Sequence, residues 1–293
     1  MFLGVRMELF MKSITKKAYG KINLILKVGE KREDGRHEVL TVMQKVGVFD
    51  TVTVSETETK GMFIECSDDS LATEENLAFK AAKCYFEKAD IAPNVKIAIE
   101  KRIPVTAGMA GGSTDAGATL TALEEMYGAL GFDGIYEIAS SLGADVPFFI
   151  YEDKTMLGTG TGAHLTPFPS YRGELYGVFV SGVAEKPSTG EMYRMLDEVK
   201  RDTVSCLEGA ELKLKYAIEN SDTGAFLAAL NNDFELCNPH VTELSAMLAD
   251  IGAERTLLCG SGPTVCGIFT DKKTAERASE KLTYKTFVCK ITG

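Results

Sequence analysis

Histidine is scarce in this 293-residue chain: the three, at positions 37, 164 and 240, are too few and too far apart to build a histidine metal cluster. The seven cysteines (66, 84, 206, 237, 259, 266 and 289) are odd in number, and no two stand as Cys-x-x-Cys, which argues against a zinc site. Reduced, mostly buried thiols are their simplest account. No apolar run reaches the roughly 20 residues that span a bilayer. The first 17 residues carry short apolar patches broken by Arg6, Glu8 and Lys12, and lack the core of a signal peptide. A cytoplasmic protein is expected, with Met1, Met7 and Met11 each available as its start. Positive charge is also short. The 32 Lys and Arg against 42 Asp and Glu leave a formal charge of -10, which disfavours nucleic acid or a membrane as the principal partner. An anionic ligand then needs local cations, and Lys16, Lys17, Lys21 and the pair Lys101-Arg102 supply them.

Hydrophobic residues make up 45% of the chain, enough for a sizeable core in two domains or one large one. The most informative segment is Pro104-Val105-Thr106-Ala107-Gly108-Met109-Ala110-Gly111-Gly112-Ser113-Thr114-Asp115. A strand-like run, Val95 to Arg102, precedes it. A helical pattern follows, with Leu120, Leu123, Met126 and Leu130 at three- and four-residue steps. Strand, glycine loop and helix start form an arrangement that binds phosphate, because N–H groups are unpaired at a helix start and the dipole there is positive. Glycine lets that backbone approach an anion closely, so bulk at Gly111 is expected to stand where phosphate must come. Ser113 and Thr114 add hydroxyls able to cap the helix or meet a metal-bound phosphate. The loop is not a Walker A motif, since no Lys follows its last Gly. A tight, well-capped turn is the plain alternative. A second stretch, Gly158-Thr159-Gly160-Thr161-Gly162-Ala163, has dinucleotide-like spacing, but Pro167 and Pro169 follow, so no helix starts there and a turn or substrate-side loop is expected.

Residues 16–54 read as strands turning at Gly35, with Ile22, Leu24 and Leu26 alternating. Residues 76–88 and 134–142 read as helices, 95–100 as a strand, and 148–151 as strand-like. The Gly/Thr/Pro-rich stretch 158–169 marks the expected boundary, giving domains 1–163 and 164–293. Beyond it come a strand at 175–180 and helices at 189–196, 210–218, 223–230 and 241–251. Strands at 257–262 and 264–269 flank a glycine turn, and a helix at 274–282 and a strand at 285–291 follow. That order suggests an α+β sandwich.

Four segments in order carry a resemblance. They are Ala18-Tyr19-Gly20-Lys21-Ile22-Asn23-Leu24 with Arg32-Glu33-Asp34-Gly35-Arg36-His37-Glu38 after it, the glycine loop, Leu142-Gly143-Ala144-Asp145-Val146-Pro147-Phe148-Phe149, and Cys259-Gly260-Ser261-Gly262-Pro263-Thr264. Over nearly the whole chain after Lys16 they resemble the GHMP small-molecule kinases, and within them the branch whose substrate carries a cytidine diphosphate. The resemblance implies an α+β, two-domain fold: an N-terminal ATP-binding domain like the second domain of ribosomal protein S5, and a ferredoxin-like C-terminal α/β sandwich. It implies ATP and Mg²⁺ as cofactors, a small-molecule substrate and a monomer or homodimer. ATP contacts are implied for Asn76, Lys101, Pro104, Ala107, Gly108, Met109, Ala110, Gly111, Gly112, Ser113 and Thr114, with Ser113 also toward the metal.

In that frame Lys21 offsets charge on the transferring phosphoryl group, and Asp145 orients the acceptor hydroxyl or takes its proton. Alone, Lys21 reads as an exposed strand lysine and Asp145 as a turn cap before Pro147. Asn23 is two residues from Lys21 and so faces the same side of a strand. The resemblance places His37 on the cytosine. Arg36 stands where the family has a stacking aromatic; a guanidinium can stack on a base, and Tyr193 is expected to cover the other face. Thr189, Gly260, Ser261 and Gly262 complete the implied substrate side. Asp115 suits the helix dipole but repels phosphate unless a metal intervenes. Other readings stay open: a kinase of homoserine, mevalonate or a sugar; a nucleotide-binding homologue without catalysis; a scaffold.

Overall fold

The computed structural model describes residues 11–105, 107–181, 188–203 and 206–292, so the expected leader lies mostly outside it. The first ten elements are β1 (Ser13–Lys31), β2 (His37–Glu56), β3 (Gly61–Cys66), α1 (Leu77–Ala89), β4 (Asn94–Glu100), α2 (Gly111–Tyr127), α3 (Gly131–Leu142), α4 (Val146–Ile150), β5 (Thr155–Thr159) and β6 (His164–Pro167). There follow β7 (Leu175–Ser181), α5 (Thr189–Asp197), α6 (Ala210–Glu219), α7 (Thr223–Ala229), β8 (Asn231–Asn232), α8 (Pro239–Asp250), β9 (Arg255–Leu258), β10 (Val265–Phe269), α9 (Lys272–Glu280) and β11 (Lys285–Thr292).

Alternating apolar residues make β1 and β2 long strands, and Gly35, at φ 80°, turns one into the other. They are the spine of a seven-stranded sheet in the order β3-β4-β2-β1-β8, with the β5/β6 hairpin attached to β2. One face of this sheet (Val52, Val54, Ile97, Ile99) packs against α1, α2 and α3 through Ala81, Tyr85, Leu120, Leu123 and Ile135. The second sheet has the order β11-β7-β10-β9, antiparallel throughout. One of its faces buries Val178, Val180 and Val265 against Met192, Leu196, Leu244 and Leu248. Between the sheets, Ile22, Ile25 and Val42 meet Phe179, Phe226, Leu257 and Ile268 in a shared core. Asp233, 4% exposed, ties the junction: it accepts from the Val28 N–H at 2.9 Å and pairs with Lys27 and Arg201. The α+β reading holds. The division expected after residue 163 falls in the β5/β6 hairpin, whose second strand still belongs to the first sheet, as does β8.

One expected strand is a helix. Residues 146–150 form α4, with Pro147 in its first turn. A short apolar run does not by itself distinguish a buried helix from a strand; here a proline suited to a helix start and packing against α2 decide. The contact is close because Gly117 lies in α2 where a Cβ would stand 2.6 Å from the Phe149 Cβ. This fixes the residue at the head of α4, Asp145, relative to the start of α2. Gly117→Val should force the helices apart and lower stability by about 1–3 kcal/mol, read as a lower urea midpoint at unchanged slope. An unshifted midpoint would show that α4 moves freely on α2.

Candidate active site

Where the two sheets meet, a cleft of about 350 Å³ opens between β1, β2, the glycine loop, the head of α4, the β5/β6 turn, α5 and the Gly260–Ser261 turn. Its floor is Lys21, only 3% exposed. An unpaired buried ammonium would be costly. Its Nζ donates to Asn23 Oδ1 at 2.8 Å and lies 3.7 Å from Asp145 Oδ2. Asn23 Nδ2 donates to Thr41 Oγ1 at 2.8 Å, and Thr41 donates to the Ile25 carbonyl at 2.8 Å. The i, i+2 spacing thus brings Lys21 and Asn23 together. Asp145 precedes α4 but caps nothing with its side chain. Its carboxylate, 41% exposed, is left to face Lys21 and the cleft.

The glycine loop approaches the C-terminal half backbone to backbone. Gly108 (φ 75°) lies where a Cβ would stand 2.1 Å from the Cys259 carbonyl, and at Gly260 (φ 57°) a Cβ would stand 2.8 Å from the Gly108 carbonyl. Asn232, buried, donates to the Leu258 and Gly260 carbonyls at 2.8 and 2.7 Å and holds that turn. Ala107 and Met109 are buried and anchor the loop in the shared core. Ala110, at φ 60° and ψ 36°, occupies a left-handed conformation that favours glycine. The first bond of α2 runs from the Thr114 N–H to the Ala110 carbonyl at 2.9 Å. The N–H groups of Gly111, Gly112 and Ser113 stand ahead of the helical ladder, and Gly111 and Gly112 line the cleft.

Several expected contacts lie elsewhere. A Cβ at Gly111 would point at Lys101 Nζ, 3.3 Å away, and at Ile103, so bulk there would strike the floor under the loop and not a phosphate. Lys101 does not line the cleft. Its Nζ bonds Asp50 and Asp115, at 2.5 and 2.7 Å, in a buried cluster. Asp115 therefore faces inward to Lys101 and does not confront the cleft. Asp50 also accepts from the N–H groups of Arg102 and Ile103, so the cluster clamps the start of the loop to the first turn of α2. Asn76 caps α1, accepting from the Ala78 N–H at 2.9 Å and donating to the Leu71 carbonyl at 2.9 Å. Thr114 is buried. Pro104 opens the loop, its carbonyl accepting from the Ala107 N–H at 3.4 Å. Ser113 is half-buried on the first turn of α2 and does not line the cleft.

At the other end, Tyr193 lines the cleft with one ring face stacked on His37, centroids 4.8 Å apart and planes 12° from parallel. That separation leaves no room for a base between them. His37 is buried, its Nε2 2.8 Å from Asp197 Oδ1. Arg36 is outside the cleft wall. Its guanidinium is 69% exposed and held by Asp34 through Nε at 3.0 Å and Nη2 at 2.8 Å. The Thr189 and Ser261 hydroxyls are 3.2 Å apart in the wall; the Gly262 N–H bonds the Cys259 carbonyl at 2.9 Å. Thr161 and Gly162, in the stretch expected to be a turn or substrate-side loop, line the wall; the sequence reading missed Thr41 and Phe234 in the wall and Asp197 and Asn232 behind it. Strand alternation could have found Thr41; the others are distant in sequence and carry no local signal. Among the described residues no cluster of three His, Cys, Asp or Glu could hold a metal ion, and no helix is long and apolar enough to cross a membrane.

Residues 76–153 match the GHMP kinases N terminal domain and residues 214–288 the GHMP kinases C terminal domain. The chain is 35% identical over 289 residues to a 4-diphosphocytidyl-2-C-methyl-D-erythritol kinase of Acetivibrio thermocellus, covering 96% of this chain and 99% of that one. It is 36% identical over 273 residues to the enzyme of that name from Clostridium perfringens, covering 91% and 92%. A crystal structure of 4-(cytidine 5'-diphospho)-2C-methyl-D-erythritol kinase superposes with a TM-score of 0.79 at 28% identity, over 96% of this chain and 100% of that one. A homoserine kinase from Cytophaga hutchinsonii shares the fold, with a TM-score of 0.73 at 17% identity over 100% and 96% of the two chains.

Burial pushes the Asp115 carboxyl up from 3.8 to about 7, against the pull of Lys101 and with Asp50 adding to the rise. Between those values the folded state keeps a proton that the unfolded chain releases, so this group's contribution to stability falls as pH rises through the window. Asp115→Asn retains an acceptor for Lys101 and has no proton to lose. Urea midpoints taken from about pH 4 to pH 8 should show the parent losing ground to Asp115→Asn as pH rises, with the two converging at the acid end. Parallel curves would show that Asp115 does not titrate there.

Proposed function

This chain belongs to the GHMP kinases, within them to the 4-diphosphocytidyl-2-C-methyl-D-erythritol kinases, and from that premise we propose that it transfers the γ-phosphoryl group of ATP to the 2-hydroxyl of that cytidyl polyol. The observation that carries the reading is the pairing of buried Lys21 with the half-exposed Asp145 at the meeting point of two glycine turns. A binder without chemistry needs neither group there.

The geometry supports the following roles. N–H groups at the start of α2 receive the phosphates, as helix starts do. Lys21 offsets charge gathering on the transferring phosphoryl group, and phosphoryl transfer depends chiefly on such positioning and stabilisation. Asp145 orients the acceptor hydroxyl and takes its proton as the new O–P bond forms and the bond to ADP breaks. The Asn23–Thr41 chain holds Lys21 in place. Mg²⁺ is bound typically through one or two carboxylates plus substrate phosphates. An ion held mainly by phosphate would find one carboxylate in the cleft, that of Asp145, with Ser113 half-buried on the neighbouring first turn of α2, and would supply charge neutralisation there. On the substrate side, the outer face of Tyr193 offers a stacking surface for the cytosine, with His37 bracing the ring from behind. The Thr189 and Ser261 hydroxyls face the rest of the molecule. Arg36, tied to Asp34, is not given the stacking role.

A coupled ADP-release assay across 4-diphosphocytidyl-methylerythritol, homoserine, mevalonate and galactose tests the reading. Turnover is expected with the first alone, and turnover confined to another substrate would overturn it. Lys21→Met and Asp145→Asn should each lower kcat by roughly 10²–10⁴, and the double variant should be scarcely worse than the poorer single, because the two act together. Near-normal kcat in Asp145→Asn would remove it as the base. Tyr193→Ala should raise KM for the cytidyl substrate by about tenfold, the scale of one base–aromatic stack; an unchanged KM would place the cytosine elsewhere.

A further inference from the structure

A second cavity, of about 530 Å³, lies where β2 passes β11, and it shares no lining residue with the first. The two strands nearly touch beside it: a Cβ at Gly47 would stand 3.0 Å from the Lys290 carbonyl. Its floor is apolar and rigid. Val46 and Ile291 are 2% exposed and Tyr171 4%, the Tyr171 hydroxyl being 2.6 Å from Thr223 Oγ1. Tyr19 contributes a further ring to the wall.

The rim is cationic. Lys45, Lys154, Arg172 and Lys290 line the cavity against a single acid, Glu152, in a chain whose formal charge is -10. The fold accounts for part of this. Lys290 is paired with Glu174 at 2.8 Å, and Lys45 Nζ donates to the Tyr151 carbonyl. Lys154 and Arg172 have no carboxylate within ion-pair distance among the described residues. Burial lowers Lys45 to about 8 although Asp153 and Glu152 favour its charged form, so its ammonium is poorly solvated where it stands. That ammonium is taken up by the Tyr151 carbonyl and the Phe148 ring, 5.4 Å away, neither of which lines the cavity. The two cations without an ion pair, Lys154 and Arg172, contribute little to stability at the edge of an apolar floor. They suit a ligand with a negative head and an apolar body, since pockets bind by burying apolar surface and fix orientation with a few polar groups.

We propose that this cavity is a second ligand site, separate from the kinase cleft, for a small amphiphilic anion: a phosphate or carboxylate head held by Lys154 and Arg172, and an apolar body lying on Tyr19, Tyr171 and Ile291. The inference does not depend on the phosphoryl-transfer reading. The probe is octyl phosphate below its micellar concentration, titrated calorimetrically into the full chain. One saturable site is expected, with inorganic phosphate at least about tenfold weaker because it buries no apolar surface. The pair Lys154→Glu and Arg172→Glu should weaken octyl phosphate by about tenfold or more, as expected for losing charge-assisted bonds, and leave basal turnover unchanged. Should that variant misfold by circular dichroism, Lys154→Ala with Arg172→Ala serves in its place. A non-hydrolysable ATP analogue should not displace the probe. Undiminished binding in the charge variants, displacement by the analogue, equal affinity for inorganic phosphate or absence of saturable binding would each overturn the proposal.

Discussion

The buried ammonium of Lys21 is the constraint around which this molecule is arranged. A lysine 3% exposed must be met by acceptors, because desolvating an unpaired charge costs several kcal/mol. One acceptor, Asn23, comes from two residues along the same strand, and Thr41 on the neighbouring strand secures it. The other, Asp145, comes from the head of α4, which reaches the site only because α2 carries a glycine at the point of contact. The roof is the Gly108 and Gly260 backbone, so close that side chains there would exclude one another. Strand register, helix packing and the apposition of the two halves of the chain all converge on one charge.

A second lysine does related work under the same loop. Lys101 is held between Asp50 and Asp115, and Asp50 also binds the two N–H groups that open the loop. One Asp115 oxygen is buried without a hydrogen-bond partner, consistent with a carboxyl that burial keeps partly protonated near neutrality. The cluster fixes the loop from below, while Ala107 and Met109 anchor it in the core between the sheets. The N–H groups at the head of α2 are thus held before any ligand arrives, which is the condition for electrostatic stabilisation without reorganisation at the moment of reaction. The left-handed Ala110 stays in its unfavourable conformation because both flanks of the loop are fixed.

Much of this was legible along the chain. The strand–glycine loop–helix order, the same-side spacing of Lys21 and Asn23, and the turn at Gly35 depend on local periodicity and backbone freedom, and they stand in the structure as read. Reading by local pattern misled where packing decides. Phe148 to Tyr151 looked like a strand because its apolar residues are continuous, and α2 made it helical. Lys101 looked like a free cation beside an anion site and is bound to two carboxylates, one of them 51 residues away. Arg36 stood in an aromatic's place in the family motif, but Asp34, two residues away, holds its guanidinium outside the cleft.

The amino-acid sequence by itself determined the elements and the chemistry available to them: which residues alternate, where glycine permits a turn, and that a lysine, an aspartate and a glycine loop occur in a family order. Those are consequences of covalent neighbours and of the two periods, near 2 and 3.6 residues, on which strands and helices place side chains. Tertiary structure alone decided which charges meet. Lys21 and Asp145, His37 and Asp197, and Asn232 and Gly260 are paired across stretches of chain that carry no local signal. The reason is physical: the strength of a charge or hydrogen bond depends on burial and distance, and both are properties of the packed core that no segment possesses before it folds.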